Sequence, residues 1–171
     1  MRGGGSLARG FWACIGILLA SSAIAAPRIG DPAPALALEG LDGKKVDLLP
    51  GKPAIVDFFA TWCEPCHAAV RALTRILGDA GLDVQLVLVD VREEPEVVAA
   101  WFAAHPLPRG GRVALDRDAA ASIRWGHTRY PTTFLVDDKG IVRHINRGFG
   151  PGYEERLRGW ARAMGWKPPS P

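Results

Sequence analysis

Cys63 and Cys66 stand three positions apart in the run Trp62-Cys63-Glu64-Pro65-Cys66-His67. An apolar run precedes them and a stretch with helical spacing follows, so the pair falls at a helix start. A helix N-terminus favours negative charge, and thiolate is the reactive form of cysteine. The spacing predicts Cys63 at the helix mouth, facing solvent, and Cys66 one turn in, within reach of a disulfide. The chemistry that follows is exchange: Cys63 attacks a disulfide of another protein, and Cys66 resolves the mixed disulfide. Pro65 suits the first turn of a helix, where a missing N–H costs nothing.

Other readings of a cysteine pair fit less well. Half a zinc site needs a second pair, and the four histidines (67, 105, 127 and 144) show no paired ligand spacing, so no metal is expected. A purely structural bridge across so short a loop constrains little of the unfolded chain.

Three more residues bear on the pair. Asp57 lies inside the apolar run Ala54-Ile-Val-Asp-Phe-Phe-Ala60. An ionised carboxylate is costly there, and its pKa should rise. Six residues before Cys63, it can sit beneath the second sulfur and accept the Cys66 proton during resolution. The alternative is an edge-strand acid facing water. Pro131 follows Tyr130 and opens a strand, where proline cannot pair centrally. A cis Tyr130-Pro131 bond would explain its place and present backbone edges to a substrate strand. A trans proline merely starting the strand is the other reading. Trp62 suits a docking surface or the core equally.

These residues need a scaffold. Residues 27–53 are rich in Pro, Gly and Asp, with a small hairpin around Lys45-Val46-Asp47-Leu48. Ala54–Ala60 reads as a buried central strand, and residues 68–77 as the helix after the cysteines, ended by Gly78 and Gly81. Residues 84–89 form a second apolar strand, 94–104 a helix, 106–111 a loop and 118–123 a helical turn. Residues 132–136 are a third strand, joined by the tight turn Asp137-Asp138-Lys139-Gly140 to a hairpin partner at 141–146. Residues 153–164 close the chain as a helix before Gly165 and a Pro-rich tail. This order calls for an α/β fold: a central mixed sheet flanked by helices, with a short N-terminal hairpin extension.

The 171 residues are 48% hydrophobic and 23% charged, the profile of one globular domain. Residues 1–25 combine Arg2 and Arg9, a short apolar run from Phe11 and the ending Ala23-Ile24-Ala25, the pattern of a secretory signal peptide. An uncleaved membrane anchor is the alternative. The expected organisation is thus a leader over 1–25, one domain over 26–166 and a disordered tail over 167–171. Cys14 lies in the apolar run as a small hydrophobe, so two of the three cysteines remain after cleavage. Without the leader the formal charge falls from +3 to +1, which gives no electrostatic footprint for nucleic acid. Disulfides persist in an extracytoplasmic compartment, where this leader would send the chain.

The chain resembles the thioredoxin superfamily in Val56-Asp-Phe-Phe-Ala-Thr-Trp-Cys-Glu-Pro-Cys66. More specifically, Ile29-Gly-Asp-Pro-Ala-Pro34, Leu41-Asp-Gly-Lys44 and Pro131-Thr-Thr-Phe-Leu-Val-Asp137 look like the TlpA/ResA group of extracytoplasmic thiol–disulfide oxidoreductases. The resemblance covers about residues 28–165. It implies a thioredoxin-like fold, a monomer without a cofactor, Cys63 as nucleophile, Cys66 as resolving thiol and Pro131 as the cis proline beside them. Trp62, Tyr130 and Pro131 would meet the substrate. It implies a reducing role on protein disulfides, often apocytochrome c thiols, with electrons from a membrane thiol–disulfide donor. Tyr130 is larger than the residue usual before that proline, and Asp57 matches thioredoxin itself rather than many TlpA/ResA proteins. Glu64 beside Cys63 disfavours its thiolate, and Pro65 replaces the histidine of strong oxidants, so a reductant is expected; His67 offsets part of this if protonated. The rival classes are a thiol peroxidase, which shares the Gly-Asp-Pro-Ala-Pro opening, a copper-delivery protein, which would use a wider cysteine pair, and a non-catalytic interaction module.

Overall fold

The computed structural model describes residues 25–77, 84–108 and 110–166. The expected leader, apart from Ala25, lies outside the described residues. So do the tail over 167–171 and the helix-ending glycines 78 and 81. No helix among the described residues is long and apolar enough to cross a membrane.

Among the described residues eleven elements follow one another: β1 (Leu38–Gly40), β2 (Lys45–Val46), β3 (Ala54–Phe59), α1 (Glu64–Leu77), β4 (Gln85–Val91), α2 (Pro95–Ala104), β5 (Arg112–Asp116), α3 (Ala120–Arg124), β6 (Thr132–Val136), β7 (Val142–Arg147) and α4 (Tyr153–Ala163). The strands make one seven-stranded mixed sheet in the order β2-β1-β5-β4-β3-β6-β7. β3 and β5 run parallel to β4, while β6 runs antiparallel to β3 and β7 antiparallel to β6. β1 and β2 form the expected N-terminal hairpin, and β1 extends the sheet against β5. This is a thioredoxin-like α/β fold.

Side chains of a strand alternate between faces, and β3 divides the core accordingly. Ile55 and Phe59 join a cluster with α1, Val98 of α2 and Leu157 and Ala161 of α4. Ala54, Val56 and Phe58 join the opposite cluster, with Leu36 and Trp125. By the same alternation Asp57 points to the first face, the one that holds Cys66 and Tyr153. All six residues of β3 are buried, as expected of a strand between two packed layers.

Two differences from the expected elements have local causes. β4 continues to Val91, past the acid Asp90, because Asp90 is itself only 1% exposed and does not mark a chain exit. β5 was not expected at all. Its run Arg-Val-Ala-Leu-Asp is five residues with charged ends, and what makes it a strand is pairing with β4 and β1 rather than local pattern.

Candidate active site

β3 delivers the chain to the mouth of α1. The Cys63 N–H bonds the Ala60 carbonyl at 3.1 Å, closing a turn, and α1 begins at the next residue with Pro65 in its first turn. Cys63 and Cys66 form a disulfide, with an S–S distance of 2.08 Å and Cα atoms 5.2 Å apart. The Cys66 N–H also points at the Cys63 sulfur, 3.2 Å away. Cys63 thus stands where a helix-capping side chain stands, with the Cys66 N–H shared between its sulfur at 3.2 Å and its carbonyl at 2.9 Å. Negative charge on Cys63 is stabilised there, and an equal charge on Cys66, inside the helix, is not.

The expectation that Cys63 faces solvent is corrected. Cys63 keeps 5% of its surface against 0% for Cys66, so the pair differs in depth but both sulfurs are recessed. Both belong to the apolar cluster around α1, which spacing along the chain does not reveal.

Asp57 is fully buried, which removes the reading of an edge acid facing water. Burial pushes its carboxyl up to about 7, against the pull of a hydrogen bond from Thr133. The Thr133 hydroxyl donates its one proton to Asp57 Oδ1 at 2.6 Å. The contact between Thr133 and the Tyr153 hydroxyl, 2.8 Å, must therefore be donated by Tyr153. Asp57 Oδ2 has no hydrogen-bond partner among the described residues. Burial, and then the charge of Asp57, raise the Tyr153 hydroxyl well above its ordinary range, so it stays a donor.

The Tyr130-Pro131 peptide bond is cis. The Tyr130 ring meets Trp62 edge-on at 5.2 Å and His127 at 4.3 Å, which brings the proline loop beside the cysteine loop. Trp62 is 68% exposed and therefore belongs to the surface, not the core. Burial pushes His127 down to about 4, partly opposed by Asp116, so its ring is neutral at neutral pH. Glu64 extends into solvent, with Oε2 3.4 Å from His67 Nδ1.

The structure therefore brings Cys63, Cys66, Trp62, Tyr130, Glu64 and Pro65 into one locality, with Pro131 at its edge. Asp57 lies in the strand below, on the face that carries Cys66. Sequence reasoning missed Thr133 and Tyr153. Thr133 sits in the quoted Pro131-Thr-Thr motif, and two hydroxyl residues in an apolar strand were the available signal; Tyr153 gave none. No cluster of three or more metal-ligating side chains occurs among the described residues.

A family model described as Redoxin matches residues 28–157. The chain is 30% identical over 125 residues to a thiol:disulfide interchange protein DsbE of Yersinia pestis, an alignment covering 70% of this chain and 64% of that protein. It is 28% identical over 140 residues to the thiol-disulfide oxidoreductase ResA of Bacillus thuringiensis, covering 80% of this chain and 79% of the relative. A crystal structure from Chlorobium tepidum, described as a candidate DsbE, superposes with a TM-score of 0.73 at 28% identity, over 81% of this chain and 99% of that one.

Proposed function

We propose that this chain, which belongs to the Redoxin family, reduces disulfides of other proteins outside the cytosol. It is a thiol–disulfide oxidoreductase. The observation that carries this reading is a bonded Cys63–Cys66 pair at a helix N-terminus, with Cys63 in the capping position. The relatives named for thiol–disulfide exchange support it.

In the reduced chain, the Cys63 thiolate attacks one sulfur of a substrate disulfide. A mixed disulfide forms, the substrate S–S bond breaks, and the released substrate thiolate takes up a proton. Cys66 then loses its proton and attacks Cys63. The Cys63–Cys66 bond forms as the second substrate thiolate leaves. Two electrons have passed to the substrate, and the chain is left in the oxidised form described above. A dithiol donor returns two electrons by the same exchange in reverse. Asp57 accepts the Cys66 proton: it is buried on the same face, with one carboxylate oxygen unpartnered and a midpoint near neutrality. Trp62 and Tyr130 offer an aromatic surface, and Pro131 a backbone edge, to the substrate strand.

The direction of electron flow follows from the charge at the mouth. Glu64 places a carboxylate beside Cys63, and Pro65 brings no cation, so the thiolate lacks the stabilisation that makes a strong oxidant. The midpoint lies nearer to about −270 mV than to about −120 mV. The resemblance to the TlpA/ResA group carries the rest of the reading: an extracytoplasmic place, a membrane thiol–disulfide donor, and apocytochrome c thiols among the candidate substrates. These assignments agree with the leader-like residues 1–25.

The experiment is trapping. Cys66→Ser should hold substrates as mixed disulfides through Cys63, and Cys63→Ser should hold none. Retained turnover in the Cys63→Ser protein would overturn the exchange reading. Rapid peroxide consumption surviving Cys66→Ser would move the chain to the peroxidase class.

A further inference from the structure

Thr61 lies between the end of β3 and the Trp62-Cys63 segment, and three of its polar groups are held from two sides. Its N–H bonds Glu93 Oε2 at 2.5 Å, and its hydroxyl bonds Glu93 Oε1 at 2.5 Å. Its carbonyl lies 2.6 Å from His67 Nε2. A carbonyl only accepts, so His67 carries its proton on Nε2 and turns Nδ1 toward Glu64. Glu93 comes from the loop between β4 and α2, 32 residues further along the chain, and His67 from the first turns of α1.

The two clamping side chains are themselves held. The Glu93 N–H bonds Asp90 Oδ1 at 3.3 Å, at the buried end of β4. Burial, reinforced by Glu93, pushes the Asp90 carboxyl up from its ordinary value. The His67 ring packs against Trp101 at 5.2 Å, and Trp101 stacks on His105 at 4.1 Å. An exposed loop with no such support would sample many arrangements, and an attacking sulfur gains rate from being held in one.

We infer that Glu93 and His67 are positioning residues for exchange, which clamp Thr61 and thereby hold Trp62-Cys63 in the arrangement from which the Cys63 sulfur is reached. The inference rests on the exchange reading above. Among the described residues neither side chain bonds a cysteine sulfur, although the His67 backbone N–H reaches the Cys63 carbonyl at 3.3 Å. Both side chains act through Thr61. Loss of the clamp should therefore slow the chemical step more than it weakens substrate affinity, because Tyr130 and Pro131 come from a separate segment and remain in place.

The test is turnover of insulin disulfides with dithiothreitol as the recycling reductant. Glu93→Ala should lower kcat about tenfold with KM within about twofold. Thr61→Val, which keeps the N–H and loses the hydroxyl, should give an intermediate loss, and Thr61→Ser should restore the wild-type kcat. His67→Gln keeps a side-chain N–H for the Thr61 carbonyl and should exceed His67→Leu in kcat. A folded Glu93→Ala protein with wild-type kcat would overturn the clamp. Where Glu93→Ala does not fold, equal kcat for Thr61→Val and Thr61→Ser overturns it instead. Wild-type turnover, absent in Cys63→Ser, establishes exchange in the same assay and separates the two readings. A wild-type chain without turnover overturns both.

Discussion

Asp57 in β3 and Asp116 at the end of β5 are both 0% exposed, yet their surroundings treat the carboxylate in opposite ways. Asp116 accepts the Ala121 N–H at 3.0 Å and the Ser122 N–H at 2.6 Å, one on each oxygen. These are free N–H groups of the first turn of α3, whose own capping position, Ala119, offers no side-chain bond. Asp116 is thus a helix cap supplied from a neighbouring strand. Among the described residues Asp57 has a single hydroxyl donor, no backbone N–H and an oxygen without a partner. Burial of a carboxylate is accordingly a weak pointer to chemistry, whereas burial with incomplete satisfaction is a stronger one.

The comparison breaks most sharply at Asp57. Its folded midpoint, about 7, lies above the ordinary 3.8. Between those values the folded oxidised chain holds a proton that the unfolded chain has released. Stability must then fall as pH rises from about 4 to about 7, and stay level above that. The accumulated loss is on the order of 4 kcal/mol at pH 8. Asp57→Asn removes this titration, so the variant should be more stable than wild type at pH 8 by up to that amount and nearly equal at pH 4. Its turnover at pH 8 should fall by about tenfold or more, since the acceptor proposed for the Cys66 proton is gone. Denaturant unfolding at the two pH values, beside insulin turnover, checks both. A wild-type chain with the same pH slope as the variant would remove the buried, raised Asp57 from the mechanism.

Asp116→Ala should do the reverse. It leaves two buried N–H groups without an acceptor, and the oxidised chain should lose about 3 kcal/mol at pH 7. Turnover per folded molecule should stay at the wild-type level. A variant that kept its stability but lost turnover would exchange the roles assigned to the two aspartates.

What was legible in the sequence was what broke a local rule. Two cysteines at a helix start, an acid inside an apolar strand and a proline at a strand opening each stand out against their neighbours, and the fold class followed from the elements between them. The hidden parts depend on partners far along the chain. Thr133 meets Asp57 across 76 positions, and Glu93 meets Thr61 across 32. Thr, Tyr and Glu are unremarkable at those places until the sheet brings them together. β5 was hidden for the same reason, and so was the depth of Cys63, which is set by the cluster around α1 rather than by spacing.

The finest test separates the two hydroxyls above Asp57. Thr133 donates directly to its carboxylate and holds its midpoint down. Tyr153 donates to Thr133, one bond removed. Thr133→Val should therefore raise the Asp57 midpoint by about one unit, the worth of one hydrogen bond to a charged group. Tyr153→Phe should raise it by only a few tenths, through weaker polarisation of the remaining bond. The break in the pH dependence of oxidised-state stability reports the midpoint in each variant. If Tyr153→Phe moves that break as far as Thr133→Val does, the hydroxyls do not act in series. Asp57 would then be held by the general polarity of its pocket, and its contrast with the fully capped Asp116 would be one of degree.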